Sequence, residues 1–322
     1  MISLAVHCAH REPTLAIEWA DLGEEERRYA YFFEHYLGEL VMLSATAVSK
    51  TWWGVVGYPP ETFAMWPYRD AVIGFARSSF TSDSSFGKLC HSSRERDARP
   101  TSSLRCWMSS GKHGAASLAP FAVEELSSLE PRVWLIHDFL NAAECAALRQ
   151  LPEALVAAEV MVSNEQGEVQ ESRTAALGWL EKNANTANVY HRAEIATGLS
   201  MESAEKLQLL NNGVGGHYMQ HTDPVDSWLG PFNGDRLATL LVYLSDVAEG
   251  GATAFPLVGL SITPRRGSAL FWFNLKENAT GHWQQDESTQ HGSCPVLRGS
   301  KWIATIWIHE RAQAPDFNYT LP

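Results

Sequence analysis

The stretch Arg236-Leu-Ala-Thr-Leu-Leu-Val-Tyr-Leu-Ser245 decides the class of fold. Its unbroken apolar run, residues 240–244, is typical of a β-strand that is buried on both faces. Short segments of strand character, separated by Gly, Pro and Asn, lie on both sides of it. They are residues 206–210, 217–223, 252–255, 260–263, 268–275 and 302–309. A series of short strands like this predicts a β-sandwich or jelly roll.

Helices precede the strand-rich part. Residues 132–139 are a strand candidate, and Asn141-Ala-Ala-Glu144 opens an apolar-periodic helix with Asn141 as its N-cap. A second helix is predicted from about Thr186 to Gly198, where the glycine serves as a C-cap residue. The sequence therefore predicts a mainly β fold with flanking helices, of the α+β class.

Length and charge restrict the classes of function. The chain has 322 residues, a length that suggests two domains, and a formal net charge of -12. So acidic a chain is unsuited to nucleic acid, because phosphate contacts need clustered Lys and Arg. No apolar segment is long enough to span a membrane. The first residues also lack the basic start and apolar core of a signal peptide.

Composition divides the chain into four parts. Residues 1–87 contain no repeat and no chemical motif, so they stay unassigned. Residues 88–120 include a stretch rich in Ser, Arg and Gly and are predicted to form a linker. Most of the predicted helices and strands fall in residues 121–312, and residues 313–322 form a C-terminal tail.

The strand-rich part contains a candidate metal site. His221 and Asp223 are two residues apart, so on a strand they face the same way with Cα atoms roughly 6.5 Å apart. With His291 they supply the two histidines and one carboxylate that hold non-haem Fe(II) and leave its other positions open. His217 has the spacing of a helical zinc motif relative to His221, but on a strand the two lie about 13 Å apart. We therefore predict that His217 is not a ligand.

The last predicted strand brings a charged residue to the same region. Alternate residues along it share one face, namely Lys301, Ile303, Thr305, Trp307 and His309. A lysine that points inward is costly to bury without a partner. A dicarboxylate that chelates iron with one end would supply that partner with its other end. Lys301 is therefore a candidate anion-binding residue.

Four longer stretches share a pattern of residues with a known family. They are Asn211-Asn-Gly-Val-Gly-Gly-His-Tyr-Met-Gln-His221-Thr-Asp223, residues 235–256, Gly267-Ser-Ala-Leu-Phe-Trp-Phe-Asn-Leu275, and residues 291–310. Together they resemble the prolyl 4-hydroxylases, which are Fe(II)/2-oxoglutarate-dependent dioxygenases. The nearest likeness is to the catalytic region of the collagen prolyl 4-hydroxylase α subunit. With looser matches upstream, the resemblance covers about residues 88–312. It implies a double-stranded β-helix (jelly-roll) core and makes residues 121–312 the catalytic domain.

The resemblance also implies roles for individual residues. The metal ligands would be His221, Asp223 and His291. The residues that hold 2-oxoglutarate would be Lys301, Thr253 and Asn212. The residues of the catalytic pocket near the peptidyl proline would be Tyr218, Arg236 and Trp307. Asn212 replaces a tyrosine that is usual in the family, and its shorter side chain predicts a weaker affinity for 2-oxoglutarate.

The reaction implied by the resemblance is 4-hydroxylation of peptidyl proline. O₂ is consumed, 2-oxoglutarate is converted to succinate and CO₂, and ascorbate is the usual reductant. The resemblance further implies a proline-containing peptide or protein substrate, a partner subunit as in the collagen enzymes, and location in the endoplasmic reticulum lumen. It pairs Cys90 with Cys106 and leaves Cys294 without a partner.

Two other functions remain open from the sequence. The first is a catalytically weakened family member that binds proline-rich peptides or a partner subunit, and Asn212 is its only motivation. The second is a related dioxygenase that acts on another side chain, such as lysine. Lysyl enzymes share the metal ligands but typically use arginine for the distal carboxylate, so Lys301 favours proline.

Overall fold

The computed structural model describes the chain from Ser85 onward, with gaps. The described residues are 85–91, 105–109, 120–127, 130–152, 155–157, 160–162, 166–168, 173–213, 215–224, 234–277, 283–311 and 313. The unassigned region 1–87 lies outside them except at its end, as do most of the predicted linker 88–120 and of the tail 313–322. No helix within the described residues is long and apolar enough to cross a membrane.

Two antiparallel sheets form the body of the fold. The strands of the larger sheet are β1 (Cys106–Ser109), β2 (Phe121–Ser127), β3 (Val133–His137), β4 (Val156–Ala157), β8 (Ala176–Leu180), β9 (Leu207–Asn212), β11 (Arg236–Tyr243), β15 (Ala269–Phe273) and β20 (Lys301–His309). They are hydrogen-bonded in the order β1-β2-β3-β15-β11-β20-β9-β8-β4.

The smaller sheet contributes the second layer. Its strands are β7 (Arg173–Thr174), β10 (His217–His221), β13 (Thr253–Phe255), β14 (Leu260–Ile262) and β18 (His291–Ser293). Their order is β14-β13-β18-β10-β7. The remaining strands form three two-stranded pairs: β5 (Val160–Val162) with β6 (Gln166–Glu168), β12 (Glu249–Gly250) with β19 (Val296–Arg298), and β16 (Leu275–Glu277) with β17 (Trp283–Gln285).

Apolar side chains fill the space between the two sheets. Residues of the smaller sheet that pack there are Phe255, Leu260 and Ile262, and those of the larger sheet include Leu241, Tyr243, Trp272 and Ile303. Two facing antiparallel sheets with a shared core are the arrangement of a jelly roll. The predicted double-stranded β-helix core is therefore confirmed.

Helices cover the other face of the larger sheet. Helix α2 (Ala142–Gln150) and helix α3 (Ala187–Thr197) lie there, after the short helix α1 (Ser85–His91) earlier in the chain. Cys145 of α2 and Ala193 of α3 belong to the same buried cluster as Leu240 and Ile306 of the sheet. Strand β11 is therefore buried on both faces, as its apolar run predicts.

Local signals set the ends of the two covering helices. Asn141 Oδ1 accepts a hydrogen bond from Glu144 N at 2.9 Å, and Asn141 N donates to Glu144 Oε2 at 2.8 Å. This reciprocal pair is a capping box at the start of α2. Helix α3 ends at Gly198, whose φ of 72° is a left-handed conformation that glycine adopts without steric cost. Both predicted helices are confirmed.

Helix α1 packs on the outer face of the smaller sheet. Neighbours along a strand face opposite ways, so Gly292 points outward between two inward residues of β18. The Phe86 ring lies 2.6 Å from where a Cβ on Gly292 would stand. Cys90 of α1 is joined to Cys294 by a disulfide, with Cα atoms 5.3 Å apart.

This disulfide corrects two expectations about the cysteines. The predicted Cys90–Cys106 pairing is wrong, and Cys294 is not left without a partner. The physical reason is the docking of α1 against β13 and β14, next to Cys294. Cys106 is instead an exposed free thiol on β1, at one edge of the larger sheet.

Strand β10 differs from its prediction in length and in regularity. It ends at His221, so Asp223 follows the strand rather than lying in it. Tyr218 pairs with Ser293 and His221 pairs with His291, which leaves one extra residue on β10, as in a β-bulge. On a regular strand, Tyr218 and His221 would face opposite ways because they are three residues apart. With the bulge, both line the same cavity.

Candidate active site

Three side chains that could ligate a metal, called here the metal-ligating cluster, meet between the sheets. His221 and His291 lie opposite each other on β10 and β18, and Asp223 follows directly after β10. Asp223 Oδ1 lies 3.6 Å from His221 Nε2 and 3.9 Å from His291 Nε2. One ligand atom from each residue falls within 4.8 Å of the others. His217 is outside this cluster, and its Nδ1 hydrogen-bonds to the Gly215 carbonyl at 2.8 Å.

Backbone carbonyls orient both imidazoles in the cluster. His221 Nδ1 lies 2.8 Å from Met219 O, and His291 Nδ1 lies 3.0 Å from Thr289 O. A carbonyl can only accept, so each Nδ1 holds a proton, and in a neutral ring the Nε2 atom then carries the lone pair that can bind a metal. Burial and the neighbouring His291 lower the pKa of His221, which keeps it in the neutral, ligating form.

Asp223 remains a carboxylate in this buried position. Burial alone would raise its pKa, but its polar and charged neighbours, among them the Thr239 hydroxyl and Arg236, lower the pKa of Asp223 overall. Two imidazole nitrogens and one carboxylate oxygen on one side of a cavity are the donor set of non-haem Fe(II) sites. The residues present therefore fit such an ion.

Lys301 lies in the same cavity. The side chain is fully buried. Its Nζ donates to Ser293 Oγ at 2.8 Å and to Thr253 Oγ1 at 3.2 Å, and both partners are uncharged. Burial lowers the pKa of the Lys301 amine to about 7. A buried cation with only neutral partners is a site that an anionic carboxylate would stabilise.

The hydroxyl of Thr253 can also serve an anion. It accepts from the Tyr243 hydroxyl at 2.8 Å and from Lys301. With both acceptor positions used, its own proton is free to be donated into the cavity. Asn212 lines this end of the cavity too, directly opposite Lys301 in the pairing of β9 with β20.

Two stacks of a guanidinium on an aromatic ring border the cavity. The Arg173 guanidinium lies 4.6 Å from the Tyr218 ring, and that ring is stacked on His221 at 3.7 Å. The Arg236 guanidinium lies 3.8 Å from the Trp307 ring. Such contacts are attractive when the cation lies over the face of the ring. The two guanidinium groups therefore help to fix the Tyr218 and Trp307 rings in place.

Glu205 anchors the second of these stacks. Its carboxylate accepts from Arg236 Nε at 2.5 Å and Nη2 at 3.0 Å, and it lies 3.0 Å from His309 Nε2. Burial would lower the pKa of His309, but the hydrogen bonds to Glu205 and to the Gly234 carbonyl raise it overall. Arg236 Nη1 also donates to the Asp223 carbonyl at 3.1 Å, which connects this anchor to the metal-ligating cluster.

The structure brings all nine sequence-predicted site residues to one region. Eight line the cavity, and Arg236 stacks on Trp307 at its border. Sequence reasoning missed Ser293, although its position two residues after His291 on a strand predicts that it faces the same cavity. It also missed Arg173, Glu205 and Thr239, for which the chain offers no spacing signal.

Comparison with known protein families gives the class of the domain. Residues 207–309 match the model of the 2OG-Fe(II) oxygenase superfamily. The match runs from β9 to the end of β20 and includes His221, Asp223, His291 and Lys301. This part of the chain is a 2OG-Fe(II) oxygenase domain.

Individual relatives show which members of this superfamily the chain is similar to. Over 219 residues the chain is 38% identical to prolyl 4-hydroxylase subunit alpha-3 of Homo sapiens, covering 66% of this chain and 39% of that protein. Over 205 residues it is 37% identical to subunit alpha-1 of Rattus norvegicus, covering 61% of this chain and 38% of that protein. The chain thus spans about two fifths of the length of these curated relatives. The predicted resemblance is confirmed: the chain contains a 2OG-Fe(II) oxygenase domain and is similar to prolyl 4-hydroxylase α subunits.

Among solved structures, the viral collagen prolyl hydroxylase of Paramecium Bursaria Chlorella virus-1 in its 2OG complex is 24% identical to this chain. The superposition has a TM-score of 0.43 and covers 55% of this chain and 95% of that chain.

Proposed function

We propose that the protein catalyses Fe(II)- and 2-oxoglutarate-dependent 4-hydroxylation of peptidyl proline. One observation carries the proposal: a two-histidine, one-carboxylate cluster and a fully buried lysine share a single cavity. The similarity to prolyl 4-hydroxylase α subunits supports proline as the residue that is modified.

The metal ligands in this proposal are His221, Asp223 and His291. Three protein ligands leave positions free for a chelating 2-oxo acid and for O₂. Proline C4–H has no acidic proton, so side-chain acid–base chemistry cannot activate it and the cofactor must do so. When bound, Fe(II) supplies O₂ activation coupled to decarboxylation of 2-oxoglutarate, with succinate and CO₂ released.

The chain's own residues bind and orient the co-substrate. Lys301 would pair with the C5 carboxylate, and the free proton of Thr253 would be donated to the same group. Asn212 would lie beside that carboxylate as the neighbour of Lys301. Apolar side chains of the cavity wall, Leu210, Leu241 and Ile303, exclude water around it.

The peptide would bind where the aromatic rings border the cavity. Tyr218 and Trp307 offer apolar faces to a proline ring, and Arg173 and Arg236 hold these faces in place. Arg236 is itself held by Glu205, so this side of the pocket is already ordered before substrate arrives. Preorganisation of this kind supports orientation of one C–H bond toward the metal.

We further propose ascorbate as the reductant, a partner subunit, and the endoplasmic reticulum lumen as the location. The Cys90–Cys294 disulfide supports an oxidising compartment, because protein disulfides persist there and are rare in the cytosol. The reductant and the partner rest on the family resemblance alone.

The experiment is a turnover assay on purified protein. Fe(II), ascorbate, 2-oxoglutarate and proline-rich peptides are supplied, and we expect a mass gain of one oxygen in the peptide together with succinate. His221→Ala should abolish both products, whereas His191→Ala, an exposed histidine on α3, should leave them unchanged. Lysine-containing peptides in parallel test the alternative side chain.

Each alternative gives a distinct result in this assay. Absence of both products with Fe(II) demonstrably bound would overturn the proposal. Peptide binding retained without turnover would favour the weakened, peptide-binding family member that Asn212 suggests. Turnover retained in His221→Ala would remove the metal-site assignment.

A further inference from the structure

A directed series of hydrogen bonds runs from the larger sheet into the Asp223 carboxylate. Thr239 Oγ1 donates to Asp223 Oδ2 at 2.6 Å, and Asn274 Nδ2 donates to Thr239 Oγ1 at 2.8 Å. A threonine hydroxyl has one proton, and here Asp223 receives it. The amide of Asn274 occupies an acceptor position of the same hydroxyl, so its proton is kept pointing at Asp223.

These bonds make the two oxygens of Asp223 unequal. Oδ2 is taken by Thr239, whereas Oδ1 faces the Nε2 atoms of His221 and His291 at 3.6 and 3.9 Å. Asp223 is buried, and hydrogen bonds to an ionised group away from water are the strong ones. The Oδ2 atom is therefore held away from the point that the Nε2 atoms of His221 and His291 both face.

Thr239 and Asn274 are themselves fixed by the sheet. Thr239 lies opposite Trp272 and Trp307 on the strands that flank β11. Asn274 is fully buried, with its N–H bonded to Leu237 O at 2.8 Å and its carbonyl accepting from Asp286 N at 2.9 Å. The backbone of Asn274 is therefore fixed, and its buried carboxamide is held against Thr239 by the hydrogen bond from Nδ2.

Asn274 also connects the two halves of the metal-ligating cluster. Its carbonyl partner, Asp286, caps the 3₁₀ turn Glu287–Thr289, and Thr289 O accepts from His291 Nδ1. Asn274 Oδ1, by contrast, has no hydrogen-bond partner within the described residues.

We propose that Thr239 and Asn274 are positioning residues that restrict Asp223 to binding the metal through one oxygen. A carboxylate that ligates through both oxygens fills two positions on a metal, and one that ligates through a single oxygen fills one. Holding Oδ2 on Thr239 thereby keeps open the third position that a 2-oxo acid and O₂ together require. The inference rests on the metal site of the proposed function and is independent of the identity of the substrate.

Metal binding without any peptide tests the inference. Mn(II) affinity of the full chain is measured by titration, and the visible absorption of bound Co(II) reports the arrangement of its ligands. Thr239→Val removes the hydroxyl with little change in shape, and we expect the Kd for Mn(II) to rise about 10- to 100-fold with a changed Co(II) spectrum. Thr239→Ser keeps the hydroxyl and should restore most of the affinity and the original spectrum.

A threonine elsewhere in the fold provides the matched control. Thr197 is a buried residue of α3 whose Oγ1 donates to Ala193 O at 2.7 Å. Thr197→Val should lower the melting temperature by removing that bond, yet leave the Kd for Mn(II) unchanged. Equal losses of Mn(II) affinity in Thr197→Val and Thr239→Val would overturn the inference, because both would then reflect general loosening.

Asn274→Ala is the second variant and serves also if Thr239→Val fails to fold. It leaves the Thr239 hydroxyl present but no longer held, so we expect weaker Mn(II) binding and a changed Co(II) spectrum. Wild-type affinity and spectrum in this variant, or in Thr239→Val, would overturn the inference. The outcome stands apart from the proposed function, since a chain that hydroxylates no proline can still show this pattern.

Discussion

The affinity for 2-oxoglutarate should fall as pH rises, because Lys301 must be charged to bind it. In the protein without 2-oxoglutarate, the Lys301 amine is fully buried and hydrogen-bonded to Thr253 and Ser293, and its pKa is about 7. A bound carboxylate stabilises the ammonium form and raises this pKa, so the complex holds more protons than the free protein above pH 7. By linkage, binding is then strongest below pH 7 and weakens as pH rises toward the pKa of the complex.

The magnitude follows from the pKa of the free protein. At pH 6 nearly every Lys301 is already charged, whereas at pH 8 about one in eleven is. The Kd for 2-oxoglutarate should therefore rise about tenfold between these values, or about 1.4 kcal/mol. At pH 8, binding should also take up close to one proton per site.

Calorimetric titration with the metal site saturated by Mn(II) measures both quantities. Runs in two buffers of different ionisation enthalpy give the number of protons taken up. Lys301→Met has no amine to titrate, so its binding should be weak and independent of pH. A wild-type Kd that stays constant from pH 6 to pH 8, or proton uptake near zero at pH 8, would refute the reasoning.

Three further predictions concern other parts of the site and its support. Asn212→Tyr should lower the Kd for 2-oxoglutarate about two- to tenfold, the value of one hydrogen bond, and an unchanged Kd in the same titration would count against a role for Asn212. Cys90→Ser should reduce the free energy of unfolding by about 2–5 kcal/mol in denaturant titration, since it opens a link across 204 residues. The exposed free thiol of Cys106 provides the control, and an equal loss in Cys106→Ser would contradict the stabilising role of the disulfide. Glu205→Gln should raise the peptide KM about tenfold or more, because Arg236 loses an ionised hydrogen-bond partner. Its Kd for 2-oxoglutarate should stay the same, and loss of that affinity instead would show that Glu205 acts on a different part of the cavity.

Local patterns account for what the sequence predicted well. The apolar run 240–244 places β11 between two layers because a strand needs apolar side chains on both faces to be buried on both. Asn141 and Gly198 end their helices through contacts within a few residues. Lys301 and Trp307 share the cavity because side chains alternate along β20.

Contacts between distant segments account for what it missed. Cys90 has Cys294 as its partner because α1 docks on the smaller sheet, and the likeness to relatives suggested Cys106 instead. Glu205 and Arg236 pair across 31 positions of sequence, and no spacing rule links them. Register between strands is set by the packing of whole faces, and local periodicity does not encode it.

The sequence by itself determined the strand-rich fold, the three candidate metal ligands and the inward lysine, because periodicity and residue chemistry are local properties. Only the tertiary structure decided how the side chains of the site are oriented relative to one another. The bulge in β10 turns Tyr218 onto His221, and the path from Asn274 through Thr239 leaves one Asp223 oxygen facing the imidazoles. Both features depend on which strands become neighbours and in what register, and packing between sheets settles that.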